Sequence, residues 1–382
     1  MLFSQILGQD SIKNHLTQNA ALGRIPHAQL FVGPEGSGAL AMAIAYARYV
    51  LCENVGTENE GGNMACNLKL ANFSHPDLHF IFPTFITEEI KTKPKSLDFI
   101  VEWREFLSEN PYGNLFDWYQ ALGVQNKQGE IRVNEAEDIL KTLSLKSYEG
   151  GYKVTLIWMA EKINTATANK LLKILEEPAD KSLFILIAEE EEEIIPTIRS
   201  RCQVIYFAGL PESVIVDSLV SHKKVDPKKA LAIARQSQGN YNKALQLLED
   251  DGEDLQFEEW FVFWVRAAFK AKGNAAAIQD LILWSEQIAA LGRERQKKFL
   301  FYCVEMFRQA LLLNYEAPSL VYLEPKTSGF AFEKFAPFVN GTNINDIFTA
   351  LSDAVYHIER NANAKIILTD LSIKLTRLIH KK

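Results

Sequence analysis

Residues 29–43 read Gln29-Leu30-Phe31-Val32-Gly33-Pro34-Glu35-Gly36-Ser37-Gly38-Ala39-Leu40-Ala41-Met42-Ala43: an apolar run, a glycine-rich turn and an alanine-rich segment in succession. This is the strand–loop–helix setting in which backbone amides and a helix amino end cradle phosphate groups. A working phosphate loop reads G-x-x-x-x-G-K-[ST]. Gly33 and Gly38 keep that frame, with Gly36 between them, but Ala39 stands at the lysine position and Leu40 at the magnesium-binding hydroxyl position. The ammonium that would face the beta and gamma phosphates and one inner ligand of Mg²⁺ are therefore missing. The expectation is a nucleotide fold that does not bind ATP tightly.

Outward from the loop, short apolar runs recur at 29–32, 78–82, 154–158, 183–187 and 204–207. Runs that are apolar on both faces and separated by helical patterns predict a parallel sheet covered on both sides. In such a fold the strand around Val154–Ile157 should end in a carboxylate pair that holds Mg²⁺ and polarises water, yet it ends in Trp158-Met159. Glu161 lies too far along to replace that pair. Asn134 with Glu137 reads as a capping box before a helix Glu135–Leu145, and Pro178 closes the helix ending in Leu175-Glu176-Glu177.

Between 83 and 130 the text turns polar and aromatic, punctuated by Pro83, Pro94, Pro111, Gly113 and Gly123, and reads as an insertion. Its Lys91, Lys93 and Lys95 read as a solvated loop in preference to a phosphate contact. After Phe207 helices begin at Pro211 and at the Asp226-Pro227 cap, a small lid. From about Leu255 onward, amphipathic helices fall near 256–271, 275–291, 294–314, 344–361 and 364–380. The expected domains are 1–208 with its insertion, a lid at 209–252 and a helical domain at 253–382. Trp260, Phe261, Trp264 and Phe269 fit either a surface that seals a ring of subunits or an ordinary bundle core.

At 382 residues the chain is long enough for two or three cores, and 47% hydrophobic with 23% charged residues is ordinary for a globular protein. A net charge of -7 argues against a stand-alone DNA binder, because the surface as a whole repels phosphate. The opening stretch lacks the apolar run of a signal peptide or membrane span, so the cytoplasm is the expected compartment. Four scattered cysteines, Cys52, Cys66, Cys202 and Cys303, suggest no disulfide framework and suit a reducing environment.

Gly8-Gln9-Asp10, Gly23-Arg24-Ile25-Pro26-His27-Ala28, His75-Pro76-Asp77, Asn169 to Pro178 and Ser200-Arg201-Cys202 occur in that order. Together they resemble the motifs of the clamp-loader subunits of bacterial DNA polymerase III, members of the AAA+ class. The resemblance covers residues 1 to about 250. Within the family, a degenerate phosphate loop beside an intact Ser-Arg-Cys motif is similar to the delta-prime branch, not to the ATP-hydrolysing gamma and tau branches. It implies an α/β AAA+ P-loop-type domain with a parallel sheet, a small helical lid and an all-α C-terminal collar domain. The lid's sensor arginine is replaced by Asn242.

The resemblance gives Arg201 the role of an arginine finger, pointing at the gamma-phosphate held by the adjacent subunit, with Ser200 and Cys202 positioning its loop. The alternative is that Arg199 and Arg201 pair with the acidic run Glu189–Glu193. Many relatives carry a four-cysteine zinc module. Here only Cys52 and Cys66 remain; His75 and His79 could in principle complete a Cys₂His₂ set, but no zinc is expected. The chain itself is expected to hold no cofactor, with ATP and Mg²⁺ on partner subunits. The implied partners are the gamma/tau ATPases, the delta subunit, the sliding clamp and primer–template DNA, with no membrane. The competing functions are an active P-loop NTPase with an unusual site and a DNA-binding scaffold working alone.

Overall fold

The computed structural model describes residues 1–52, 63–87, 90–124, 129–144, 146–148, 151–248, 253–317, 320–323, 325 and 327–381. The chain divides into two compact units, Met1–Leu248 and Glu249–Lys382.

The first unit is built on five strands: β1 (Ala28–Val32), β2 (Leu78–Ile81), β3 (Lys153–Trp158), β4 (Ser182–Ala188) and β5 (Gln203–Tyr206). They form one sheet in the order β2-β3-β4-β1-β5, with every neighbouring pair parallel. Side chains alternate between two apolar layers, as the two-residue period of a strand requires. Phe31, Leu156 and Ile185 face one layer, while Leu30, Val32, Ile157 and Leu186 face the other. The helix Ala39–Leu51 lies within the first layer, with 11 of its 13 residues buried. Alanine at positions 39, 41, 43, 45 and 47 lets it do so, because a small side chain permits close approach on every face.

Around its lysines the insertion is the solvated loop expected, with Lys91 and Lys93 exposed and outside regular structure, but the residues that follow are not loop. They fold as a 3₁₀ turn, Ser96–Phe99, running into the helix Ile100–Glu109, followed by the helix Leu115–Ala121. Trp103, Phe106 and Trp118 are fully buried. Trp103 stacks on Phe82 with ring centroids 4.2 Å apart, and the Trp118 indole donates to the Pro83 carbonyl at 3.1 Å. Lys95 is tied to Asp138 at 2.7 Å. The prolines and glycines punctuate these helices; they do not prevent them.

Two further local readings are corrected. The helix Val133–Ser144 starts ahead of Asn134, so the Asn134–Glu137 box has no helix end to cap. Asn134 donates to the Lys93 carbonyl at 3.2 Å, and Glu137 pairs with Lys170 at 2.6 Å. The residue between them that matters to packing is Glu135. It is buried, accepts from the Ser96 backbone N–H at 2.5 Å and hydroxyl at 2.8 Å, and burial pushes its carboxyl up to about 7. The cysteines are also not all unpaired: Cys52 and Cys66 form a buried disulfide with Cα atoms 5.6 Å apart. The stretch Gly56–Asn63 reads in the sequence as a polar loop in which the metal clip was lost, and all of it but Asn63 lies outside the described residues. Asn63 caps the helix Met64–Ala71 by accepting from Ala65 and Cys66 amides.

The lid consists of the helices Glu212–Lys223, Pro227–Ser237 and Tyr241–Leu248, and belongs to the first compact unit. Asp226 caps the second of these through the Lys228 and Lys229 amides, with Pro227 in the first turn.

The second unit carries five long helices, Glu253–Lys270, Ala275–Ala289, Arg293–Asn314, Ile344–Glu359 and Ala364–Leu378. Trp260, Phe261 and Trp264 are buried in its own core, while Phe269 is half exposed. Trp264 stacks on Trp284 at 4.8 Å and donates to the Ser372 hydroxyl at 2.9 Å. Three of the four aromatics are thus ordinary bundle core. No helix among the described residues is long and apolar enough to cross a membrane.

Candidate functional site

The loop Gly33–Gly38 leaves the carboxyl end of β1, where the strand order reverses between β4 and β5, the usual ligand position in an open α/β sheet. It is pinned to both neighbours: the Gly33 N–H donates to the Ala188 carbonyl at 3.1 Å, and Phe207 donates to Val32 at 2.7 Å. Gln9 joins loop and lid connection, its amide donating to Ser37 at 3.1 Å and to Ala208 at 2.7 Å. Gly36 and Gly38 take φ values of 70° and 90°, which only glycine adopts without strain. A Cβ on Gly36 would strike the Asn240 side chain, so the lid helix rests directly on the loop.

Ala39 and Leu40 are 7% and 5% exposed and belong to the hydrophobic core. The positions that would meet phosphate and magnesium are thus spent on packing. What remains above the loop is a cavity of about 40 Å³ lined by Gly33–Leu40, Pro111–Gly113, Trp158, Met159 and Ile187–Glu189. That holds a few water molecules at most. The insertion occupies the rest: Tyr112 lies over Gly38, its hydroxyl accepts from the Leu7 N–H at 2.8 Å, and its ring meets Tyr241 of the lid edge-on at 5.0 Å. Burial pushes the Tyr112 phenol up to about 12.

The charge of the site is the reverse of what phosphate needs. None of the lining residues is a lysine or arginine, whereas Glu35 and Glu189 are both present. Glu161 stands behind Glu189. Both carboxyls are raised to about 7, chiefly by burial and in part by neighbouring carboxylates: Glu161 and Glu35 act on Glu189, and Glu193 on Glu161. Glu189 at this position was not legible as a site residue, because in sequence it is only the first of a run of five glutamates. Asn242, at the position where the resemblance puts a sensor arginine, is buried and donates to Asp117 at 2.6 Å and to Glu35 at 3.4 Å.

Ser200, Arg201 and Cys202 lie just before β5, at the opposite end of the sheet from the loop. Gln203 is in register with Gln29 and Tyr206 with Val32, so the strand alone separates the two by about 10 Å at ~3.3 Å per residue. The Arg201 guanidinium, a third exposed, pairs with Glu176 and donates to the Thr197 carbonyl at 2.8 Å. Arg199 is the one that meets the acidic run, at 3.4 Å from Glu191. Ser200 donates to Thr197 at 3.1 Å, closing the turn, and Cys202 is half-buried with its thiol pushed up to about 11 by desolvation.

The four residues weighed for zinc do not form a set. Cys52 and Cys66 are bonded to each other, and His75 Nδ1 accepts the Asp77 N–H at 3.1 Å. His79 is half-buried, and desolvation lowers its pKa. Among the described residues no cluster of three or more His, Cys, Asp or Glu could hold a metal ion.

A five-stranded parallel sheet, a glycine-rich loop at its switch point and a helical lid seated on that loop define a P-loop-type nucleotide fold of the AAA+ class. Residues 8–211, more than half of the chain, match the model of the family described as DNA polymerase III, delta subunit, and the chain belongs to that family. It is 25% identical over 360 residues to DNA polymerase III subunit delta' of Escherichia coli K12, covering 92% of this chain and 90% of that protein. To subunit delta' of Bacillus subtilis it is 28% identical over 228 residues, 60% of this chain and 55% of the relative. DNA polymerase III subunit gamma/tau of Mycobacterium tuberculosis H37Rv is 28% identical over 209 residues, 55% of this chain and 29% of the relative.

Proposed function

We propose that this chain is a non-catalytic, delta-prime-like subunit of the DNA polymerase III clamp loader, and that it lends Arg201 to the ATP site of an adjacent subunit. The observation that carries the reading is a separation. The chain's own phosphate loop is packed with Ala39, Leu40 and Tyr112 and edged by carboxylates, while its Ser200-Arg201-Cys202 motif stands at the other end of the sheet. An arginine there cannot serve the chain's own loop. A guanidinium stays charged and presents a fixed fork of donors, so across a subunit boundary it neutralises charge spreading over a transferring phosphoryl group.

In this reading the partners are gamma/tau ATPase subunits and a delta subunit, acting in the cytoplasm on a sliding clamp and primer–template DNA. ATP and Mg²⁺ belong to the partners, and neither nucleotide nor zinc is required by this chain. The test is reconstitution: the chain should copurify with the clamp-loader ATPase subunits and raise their DNA-dependent ATPase, while alone it binds no Mg·ATP at micromolar concentration. Unaided ATP turnover by the purified chain would favour the NTPase reading. Salt-dependent binding of primer–template DNA by the isolated chain would favour the stand-alone scaffold.

A further inference from the structure

The insertion between β2 and β3 and the lid meet at one polar network. Asp117 sits in a reciprocal cap with Asn114, whose N–H donates to it at 3.0 Å and whose side chain accepts the Asp117 N–H at 2.8 Å. Its two carboxylate oxygens then take amide protons from successive turns of the lid helix Tyr241–Leu248: Asn242 at 2.6 Å and Gln246 at 3.1 Å. On the other side the Asn114 amide donates to Glu35 of the phosphate loop at 2.8 Å. Tyr112, between these contacts, is 8% exposed and packs on Tyr241, which is 7% exposed.

We infer that the segment Asn110–Asp117 is a built-in latch that holds the lid on the sheet domain in place of a nucleotide. A bound nucleotide would bridge the loop and the lid with phosphate contacts. Here Glu35, Asn114, Asp117, Asn242 and Gln246 make that bridge from protein groups alone. A half-buried polar network is costly unless each member is paired, so it favours one lid orientation over neighbouring ones. The loss of the lysine, the hydroxyl and the sensor arginine is thereby matched by a gain: the lid angle no longer depends on what is bound. The inference does not require Arg201 to act in trans, and it is tested on the isolated chain.

The experiment is hydrogen–deuterium exchange, read by mass spectrometry on the full chain. Asn242→Ala with Gln246→Ala should speed exchange in Tyr241–Leu248 and Gly33–Leu40 by tenfold or more, leaving Ser182–Ala188 unchanged. Gln246→Glu, a conservative change that sets a second carboxylate against Asp117, should speed exchange in the same segments at neutral pH. Saturating Mg·ATP should leave the exchange of the parent chain as it is. Unaltered lid exchange in the folded variants would overturn the latch, as would a slowing of lid exchange by nucleotide in the parent.

Discussion

Tyr112 stands so close over Gly38 that a Cβ built on the glycine would lie 2.9 Å from the ring's Cε1 atom. A residue of the insertion thus covers the turn at which a phosphate would be bound. Gly38→Ala should lose about 1–3 kcal/mol of stability from contact and positive φ together. Tyr112→Ala should relieve part of that loss, a coupling of about 1 kcal/mol in a double-mutant cycle. Urea unfolding of the four variants measures it; strict additivity would mean that the two residues do not press on each other.

Glu189 of the pocket and its charged neighbour Glu161 give the protein a pH signature. Glu161 and Glu189 rise from 4.5 to about 7 on folding, chiefly through burial. Between those values the unfolded chain releases the protons and the folded chain keeps them, so stability falls as pH rises through the window, and the loss is complete above it. Glu189→Gln should therefore be more stable than the parent at pH 8, by on the order of 2 kcal/mol, with the difference gone near pH 4. Denaturant midpoints at the two pH values decide this. An equal difference at both would point to packing, not titration.

In the second unit the parallel pair Trp264–Trp284 holds the helices Glu253–Lys270 and Ala275–Ala289 together, with Ser372 accepting the Trp264 N–H. Trp264→Ala should cost that unit about 3–5 kcal/mol, the range for truncating a buried aromatic. Phe269→Ala, at a half-exposed position, should cost under half as much. Near-equal losses would contradict the assignment of Trp264 to the core.

Much of this was legible in the chain. The apolar runs gave the five strands to within a residue or two at each end, and the three- and four-residue spacing gave the five long helices of the second unit. Position alone singled out Ala39, Leu40 and Asn242, and all three are buried. The insertion was harder. Phe99, Trp103, Phe106 and Leu107 do carry a helical period, but the surrounding prolines and glycines masked it. Nothing local says that Tyr112 and Asn114 reach a loop some 75–80 residues earlier. Glu189 was hidden for the same reason: its neighbours in space, Glu35 and Glu161, are brought to it only by the sheet order. The Cys52–Cys66 bond likewise depends on two helices meeting.

The central claim is that Arg201 works on a site the chain does not itself contain. The most direct measurement is DNA-dependent ATPase in a clamp loader reconstituted with Arg201→Ala and, beside it, Arg201→Lys. The account predicts intact assembly with a rate lowered on the order of a thousandfold at the site facing this chain, and little rescue by lysine, which lacks the planar fork. Full activity in an assembled complex carrying Arg201→Ala would contradict it.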